Sequence, residues 1–348
     1  MKAKAYAVYS TTEDLAPFEF ERRAVGPHDV HIDIEYCGVC HSDIHKAHDD
    51  WGGAVYPMVP GHEIIGRVVS VGEHVKNHKE GDLVGVGCLV DSCQKCSACE
   101  DHLEQFCENG ATFTYASPDP IMGGVTFGGY SDKIVVNEKF VLKVSEKLDT
   151  KAVAPLLCAG ITTYSPLREW NVKKGDKVGV IGLGGLGHMG VKFAVAMGAH
   201  VVMITTSPEK GNDAKRLGVH EVLISKDDDA MKSATGSFDF LLNTIPVEHD
   251  VGPYIGLLKR DATMVVVGAL APINDVHGAS LIRGRKRIAG SLIGGIKETQ
   301  EMLDFCAEHN VLPDIEMIKI QDINQAFQRV MKADVKYRFV IDMKSLKS

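Results

Sequence analysis

The sequence predicts an α/β protein of two domains, the first mostly β and the second a doubly wound parallel sheet with helices on its faces. Three observations lead there. A chain of 348 residues exceeds what one ordinary core organises and suits two domains of moderate size. Its first part reads as short β-like runs broken by Gly, Pro and Asp turns. From Lys177 onward the pattern changes to alternating strand and helix.

In the first part the β-like runs are residues 4–9, 30–36, 64–71, 83–86 and 133–136. A strand at 177–181 then meets a glycine turn and a helix at 188–197, followed by a strand at 200–205 and a helix at 208–217. These are successive βαβ units, whose crossovers make the strands parallel. Strands at 221–224, 238–242, 263–267 and 287–292, with a helix at 254–259, extend the parallel sheet to about six strands. After Gly294 and Gly295 a helix reads over 298–308. The closing run 337–341 is a strand with no place in the parallel pattern, so it is expected to return to the first domain. The expected divisions are 1–152, 153–293 and a returning segment 294–348.

Composition narrows the function. The chain is 45% hydrophobic and 24% charged, and no apolar run approaches the roughly 20 residues that cross a bilayer. The first residues lack the apolar core and cleavage site of a secretory signal, so a cytoplasmic location is expected. A net charge of −8 without a long Lys or Arg run sets nucleic acid aside as a partner. Nine cysteines, an odd number in a chain of that location, read as metal ligands or free thiols rather than disulfide partners.

Gly182-Leu183-Gly184-Gly185-Leu186-Gly187 lies between a predicted strand and a predicted helix, the context in which G-x-G-x-x-G binds a dinucleotide. Gly182 allows the tight turn, Gly184 lets the backbone approach a pyrophosphate, and Gly187 permits close helix–strand packing. Around Gly185 and Leu186 the helix N-terminus offers amide N–H groups to the anion. A glycine turn without a ligand is the plainer alternative. At the end of the second strand an NAD-binding unit carries Asp or Glu, whereas this chain has Thr205-Thr206-Ser207-Pro208-Glu209-Lys210. With no carboxylate at the strand end, Thr206, Ser207 and Lys210 suit a 2′-phosphate, and NADP(H) is the expected cofactor. Ser207 ahead of Pro208 also reads as a helix N-cap, and the two readings are compatible.

Two sets of metal ligands stand out. Cys93-x2-Cys96-x2-Cys99-x7-Cys107 lets one lobe, covering roughly 88–110, wrap a tetrahedral zinc with all four positions filled by protein, which reads as structural. Four thiolates also suit an iron–sulfur cluster; a zinc ribbon on nucleic acid is disfavoured by the acidic neighbours Asp91, Glu100, Asp101, Glu104 and Glu108. The second set is dispersed: Cys40-His41-Ser42-Asp43 with His45, then Gly61-His62-Glu63, then Cys158. Spacing alone says little of it, because a lone buried Cys is usually a small core residue and a lone His a satisfied polar group.

Together with Cys158-Ala159-Gly160-Ile161-Thr162-Thr163-Tyr164 and Tyr337-Arg338-Phe339-Val340, these motifs resemble, end to end, the zinc-containing medium-chain alcohol dehydrogenases. The resemblance is to the cinnamyl-alcohol-dehydrogenase-like branch, which includes bacterial NADPH-dependent aldehyde reductases. It implies a GroES-like catalytic domain and a Rossmann domain. It also implies two zinc ions per chain, the catalytic one held by Cys40, His62 and Cys158, the family's own ligand set. Glu63 then approaches the metal during ligand exchange, and Asp43 orients the histidine. Zinc acts as a Lewis acid on the substrate oxygen while hydride passes directly between nicotinamide and carbon, interconverting primary alcohols and aldehydes. The resemblance further implies a proton relay from Ser42 through the cofactor ribose to His45, imidazole being the side chain that titrates near neutrality. Thr162 is implied beside the nicotinamide, Arg338 near the cofactor phosphates, and Trp51 in the substrate pocket. Phe113 and Tyr115 are possible companions without a fixed place, and a homodimer built by sheet extension is expected.

Three rivals lose residues that this reading explains. A zinc-free quinone reductase does not need Cys40, His62 and Cys158 together, and a polyol dehydrogenase would keep an acidic residue for NAD and use a carboxylate as a metal ligand. A dinucleotide sensor has no use for Ser42 and His45. The substrate itself is set by side chains from several loops, and broad aldehyde tolerance is expected. Cys37, Cys88 and Cys306 carry no role in this reading.

Overall fold

The computed structural model describes residues 1–268, 272–273 and 276–347. They divide into two compact units, one formed by Met1–Cys158 with Gly294–Ser348 and the other by Ala159–Ile293. The first break thus falls at Cys158, past the 152/153 division read from the sequence, because the residues before it pack with the first unit.

The first unit is built on a sheet running Ile315–Lys319, Arg338–Asp342, Asp29–Val39, Ile64–Val71, Leu83–Val86 and Leu142–Lys143, with Lys133–Asn137 also paired to Asp29–Val39. Asp29–Val39 is its long central strand, and its alternating buried positions Val30, Ile32 and Ile34 face the core. The closing strand Arg338–Asp342 pairs antiparallel with it, Phe339 opposite Val39 and Ile341 opposite Cys37. That pairing brings the chain's end beside the residues that precede Cys40. The neighbouring strand Ile315–Lys319 and the helix Ile323–Met331 went unread in the sequence.

The second unit holds a six-stranded parallel sheet in the order Glu221–Ile224, His200–Thr205, Lys177–Ile181, Phe238–Asn243, Leu258–Val266, Arg287–Gly290. The order reverses direction between Lys177–Ile181 and Phe238–Asn243, a switch point of the kind at which doubly wound sheets bind ligands beyond the strands' carboxyl ends. One helix departs from expectation. It spans Gly252–Leu257 rather than continuing to Lys259, since Leu258 turns to extended backbone (ψ 137°) and opens the strand Leu258–Val266. Pairing with Phe238–Asn243 takes precedence there over the helical pattern of the preceding residues.

Candidate active site

Cys40 follows the central strand Asp29–Val39 and is the N-cap of the short helix His41–Ala47. Three residues on, Asp43 turns back: its Oδ2 accepts the Cys40 N–H at 2.9 Å, the reciprocal half of a capping box. The same carboxylate is fully buried and gathers three further donors. Oδ1 accepts the Gly61 N–H at 3.1 Å and lies 3.0 Å from His62 Nδ1, and Oδ2 accepts the Tyr130 hydroxyl at 3.1 Å. Asp43 therefore ties the segment carrying Cys40 to the one carrying His62, and fixes the imidazole with Nε2 left for another partner. Gly61 is required at that junction. Its φ is +101°, and a Cβ there would stand 2.7 Å from Tyr130 Cδ1 and 2.9 Å from Cys37 Sγ.

Cys158, at the end of the turn Ala154–Leu157, completes the group. One donor atom each from Cys40, His62, Glu63 and Cys158 lies within 4.8 Å of the others, and all four residues are buried. The Cys40 and Cys158 sulfurs are 3.7 Å apart. That is too long for a disulfide and close to the roughly 3.8 Å edge expected between two sulfurs about 2.3 Å from one tetrahedral centre. The four groups also perturb one another's titration. The hydrogen bond from Cys158 holds the Cys40 thiol well below its usual pKa, and Cys158 is pushed well above its own. Burial works against a charged His62, but Asp43, Cys88 and Cys40 together outweigh it and hold the imidazole well above its ordinary value. Glu63 is pushed up to about 7 by burial, with Arg338 acting in the other direction.

Glu63 is divided between two tasks. Its Oε1 accepts from Arg338 Nη2, which also donates to the Val39 carbonyl at 2.9 Å, while its Oε2 is buried with no hydrogen-bond partner among the described residues. A buried carboxylate with an unpartnered oxygen, grouped with two thiols and an imidazole, is what a cation would satisfy. Arg338, expected at the cofactor phosphates, has this second partnership, which the sequence did not suggest.

Around the cluster, Ser42 Oγ is 3.6 Å from Cys40 Sγ. His45 Nδ1 lies 2.7 Å from Asp50 Oδ2, and its ring sits between His41 (4.7 Å, stacked) and Trp51 (5.2 Å). Asp50 was missed in the sequence; its only signal is a place five residues after His45. Trp51 is 41% exposed, so its indole is open to solvent rather than packed away. Tyr115 is buried with its ring 5.7 Å from His62, whereas Phe113 stands exposed on the strand Thr112–Phe113. Cys88 also sits near: its thiol donates to the Leu157 carbonyl, and it raises the Cys158 pKa. Cys37 and Cys306 are buried, with Gly38 O and Met302 Sδ as their partners.

The four-cysteine lobe is a second, separate cluster. The sulfurs of Cys93, Cys96, Cys99 and Cys107 lie within 4.8 Å of one another, with Cys93–Cys99 at 4.0 Å and Cys96–Cys107 at 3.9 Å. Peptide N–H groups of Cys93 and Glu108 donate to the sulfurs of Cys107 and Cys96, both at 3.4 Å. A backbone N–H at Lys95 and the Asn109 amide pull Cys93 down to about 6, toward the thiolate that binds metal.

In the second unit, the glycine loop joins the strand Lys177–Ile181 to the helix Gly187–Ala196. Gly182 has φ +91°, and a Cβ on Gly187 would stand 2.0 Å from the Gly182 carbonyl oxygen. A Cβ on Gly184 would meet nothing within 4 Å among the described residues, and an approaching pyrophosphate would account for glycine there. Thr162 is buried in the helix Ala159–Glu169. Ser207 is the N-cap of Pro208–Arg216, its Oγ accepting the Lys210 N–H at 3.4 Å, while Thr206 and Lys210 are exposed.

Comparison with known proteins gives the family. Residues 26–146 match the alcohol dehydrogenase GroES-like domain, and residues 185–308 the zinc-binding dehydrogenase family. The chain is 56% identical over 348 residues to the aldehyde reductase YahK of Escherichia coli, covering 99% of each. It is 52% identical over 345 residues to the NADP-dependent alcohol dehydrogenase C 1 of Mycolicibacterium smegmatis, again covering 99% of each. Among solved structures it is similar to the cinnamyl alcohol dehydrogenase SbCAD4 of Sorghum bicolor (TM-score 0.95, 42% identity, 99% of this chain and 98% of that one). It is likewise similar to a Helicobacter pylori enzyme of the same kind complexed with NADP(H) (TM-score 0.92, 45% identity, 99% of both).

Proposed function

The chain belongs to the zinc-containing medium-chain alcohol dehydrogenases, in their cinnamyl-alcohol-dehydrogenase-like branch, and from that premise we propose how its own residues divide the work of an NADP(H)-dependent alcohol dehydrogenase and aldehyde reductase. The observation that carries the proposal is the buried group of Cys40, His62 and Cys158, with Asp43 fixing the imidazole. Bound there, zinc supplies Lewis acidity to the substrate oxygen, and NADP(H) carries the hydride.

The rest is the protein's. Asp43 holds His62 in one tautomer and keeps Nε2 aimed at the metal position. Arg338 restrains Glu63, whose carboxylate would be near enough to serve a metal held there during ligand exchange. Ser42 Oγ would accept the proton released when an alcohol is oxidised as it gives up its own hydroxyl hydrogen, and His45, held by Asp50, is the outer end of the relay, passing a proton to water; reduction runs the same transfers in reverse. Trp51, beside His45, forms part of the substrate's surroundings, with Tyr115 on the imidazole side.

Gly182, Gly184, Gly185, Leu186 and Gly187 receive the pyrophosphate, Thr162 lies beside the nicotinamide, and Thr206, Ser207 and Lys210 meet the 2′-phosphate. Cys93, Cys96, Cys99 and Cys107 hold a second, structural zinc. The strand Arg287–Gly290 ends the parallel sheet and offers its free edge to a second copy, which makes a homodimer by sheet extension. A cytoplasmic location fits nine free cysteines, most of them gathered at metal sites.

The test is steady-state reduction of a benzaldehyde-like aldehyde with NADPH and with NADH, before and after removal of the active-site metal and again after zinc is restored. Preference for NADPH, with turnover lost and then recovered, supports the assignment. Turnover that survives complete removal of that metal ends the roles given to Cys40, His62 and Cys158.

A further inference from the structure

We propose that Tyr130 is a positioning residue of the metal site, acting through Asp43, and that a loop clamped by Arg22 sets where its hydroxyl stands. Tyr130 is completely buried, and its only polar atom beyond the backbone donates to Asp43 Oδ2 at 3.1 Å. The other oxygen of that carboxylate faces His62 Nδ1. A carboxylate with these four donors, and with the buried Tyr115 beside it, has little freedom to rotate; with the Tyr130 phenol removed, Oδ2 loses one of its hydrogen bonds and the plane that aims the imidazole loosens.

The loop that presents Tyr130 is held far more firmly than a surface turn. Its backbone runs against the segment leading into His62: Gly128 N–H donates to Val59 O at 2.8 Å, Gly129 N–H to Gly61 O at 2.8 Å, and Tyr130 N–H to Pro60 O at 2.9 Å. From the far side Arg22 donates to the carbonyls of Phe127 (2.7 Å), Gly128 (2.9 Å) and Lys133 (3.0 Å) and to Ser131 Oγ (2.9 Å). A guanidinium spent on three backbone carbonyls, with its cation over the Phe20 ring at 4.7 Å, is a clamp for the loop. The order of support is then Arg22, the loop, Tyr130, Asp43 and His62. All of it lies within one unit of the fold.

This inference rests on the metal site proposed above. The experiment is Y130F, compared with the parent protein after loading both sites with Co²⁺, which reports its ligand geometry in the visible spectrum. Release to a chelator is followed separately at the Cys40–His62–Cys158 site and at the four-cysteine lobe. Removing a partner that orients a ligand costs about 10- to 100-fold in metal affinity, and Tyr130 stands one step further out, so about tenfold faster release at the first site is expected. The spectrum of that site should shift, and release from the lobe should match the parent. Unchanged release and spectrum, or equal acceleration at both sites, overturns the proposal. If Y130F does not fold, Ser131→Ala, which removes one acceptor of Arg22 and leaves the phenol in place, should show the same site-selective acceleration to a smaller degree; its absence would overturn the proposal too. A parent protein that takes up no metal at Cys40, His62 and Cys158 fails the earlier reading instead.

Discussion

The two cysteine clusters answer the same chemistry in opposite ways. The lobe draws Cys93, Cys96, Cys99 and Cys107 from one short stretch and steadies their sulfurs with neighbouring peptide N–H groups and the Asn109 amide. The other cluster draws Cys40, His62 and Cys158 from distant points and steadies them with buried side chains, chiefly Asp43. A site made of four thiols has its tetrahedron complete and can only hold the fold. A site of two thiols and an imidazole, with a carboxylate already tethered to Arg338, leaves part of the metal's demand to be met from outside the protein. On the roles proposed above, local backbone support goes with the structural site and imported buried support with the reactive one.

The largest test of that difference is His62→Ala set against Cys107→Ser. Losing a catalytic ligand forfeits several kcal/mol of transition-state stabilisation, so aldehyde reduction should fall by about a thousandfold or more while the lobe keeps its metal. Cys107→Ser should instead lower the thermal midpoint, by on the order of 10 °C, because a structural metal's binding energy is folding energy. Turnover per folded molecule should stay near that of the parent. If Cys107→Ser silenced the folded enzyme as completely as His62→Ala, the division into structural and reactive sites would be lost.

A smaller effect probes what surrounds the reactive cluster. Ser42→Ala should slow turnover by about a hundredfold, near the lower end of what positioned proton transfer contributes, with metal content unchanged. His45→Ala should cost less, since water can replace an imidazole at the surface, and Asp50→Asn should follow His45→Ala because the two side chains are 2.7 Å apart. A Ser42→Ala enzyme as fast as the parent would remove the relay.

Legibility in the sequence followed the same line as the chemistry. The lobe could be read from spacing because its ligands share one local fold, and the glycine loop because its strand and helix flank it in sequence. The dispersed ligands were readable only through the family resemblance, since nothing in the spacing of Cys40, His62 and Cys158 places them together. What escaped was the support: Tyr130 on Asp43, Arg22 on the loop carbonyls, and Arg338 on Glu63. Each is a contact between segments distant in the chain, made by a tyrosine or an arginine that no local motif marks. The unread strand Ile315–Lys319 is of the same kind, half-buried and defined by the partner it finds in Arg338–Asp342.

The comparison sharpens most at Ser207, where one side chain serves both local structure and, on the reading proposed above, the cofactor. Ser207 Oγ caps the helix Pro208–Arg216 through the Lys210 N–H, so Ser207→Ala should cost about 1 kcal/mol of stability whether or not a 2′-phosphate ever binds. Lys210 has no part in that cap beyond its backbone, and its side chain is exposed. Lys210→Ala should therefore leave the thermal midpoint unmoved and lower kcat/KM with NADPH by about tenfold, the worth of one exposed charge-assisted contact to the phosphate, with the value for NADH unchanged. Measuring both variants with both cofactors separates the roles. A parallel loss with NADPH and NADH in Lys210→Ala would assign the lysine to general steering of an anion, and a preference untouched in both variants would leave the strand end selective only by lacking a carboxylate.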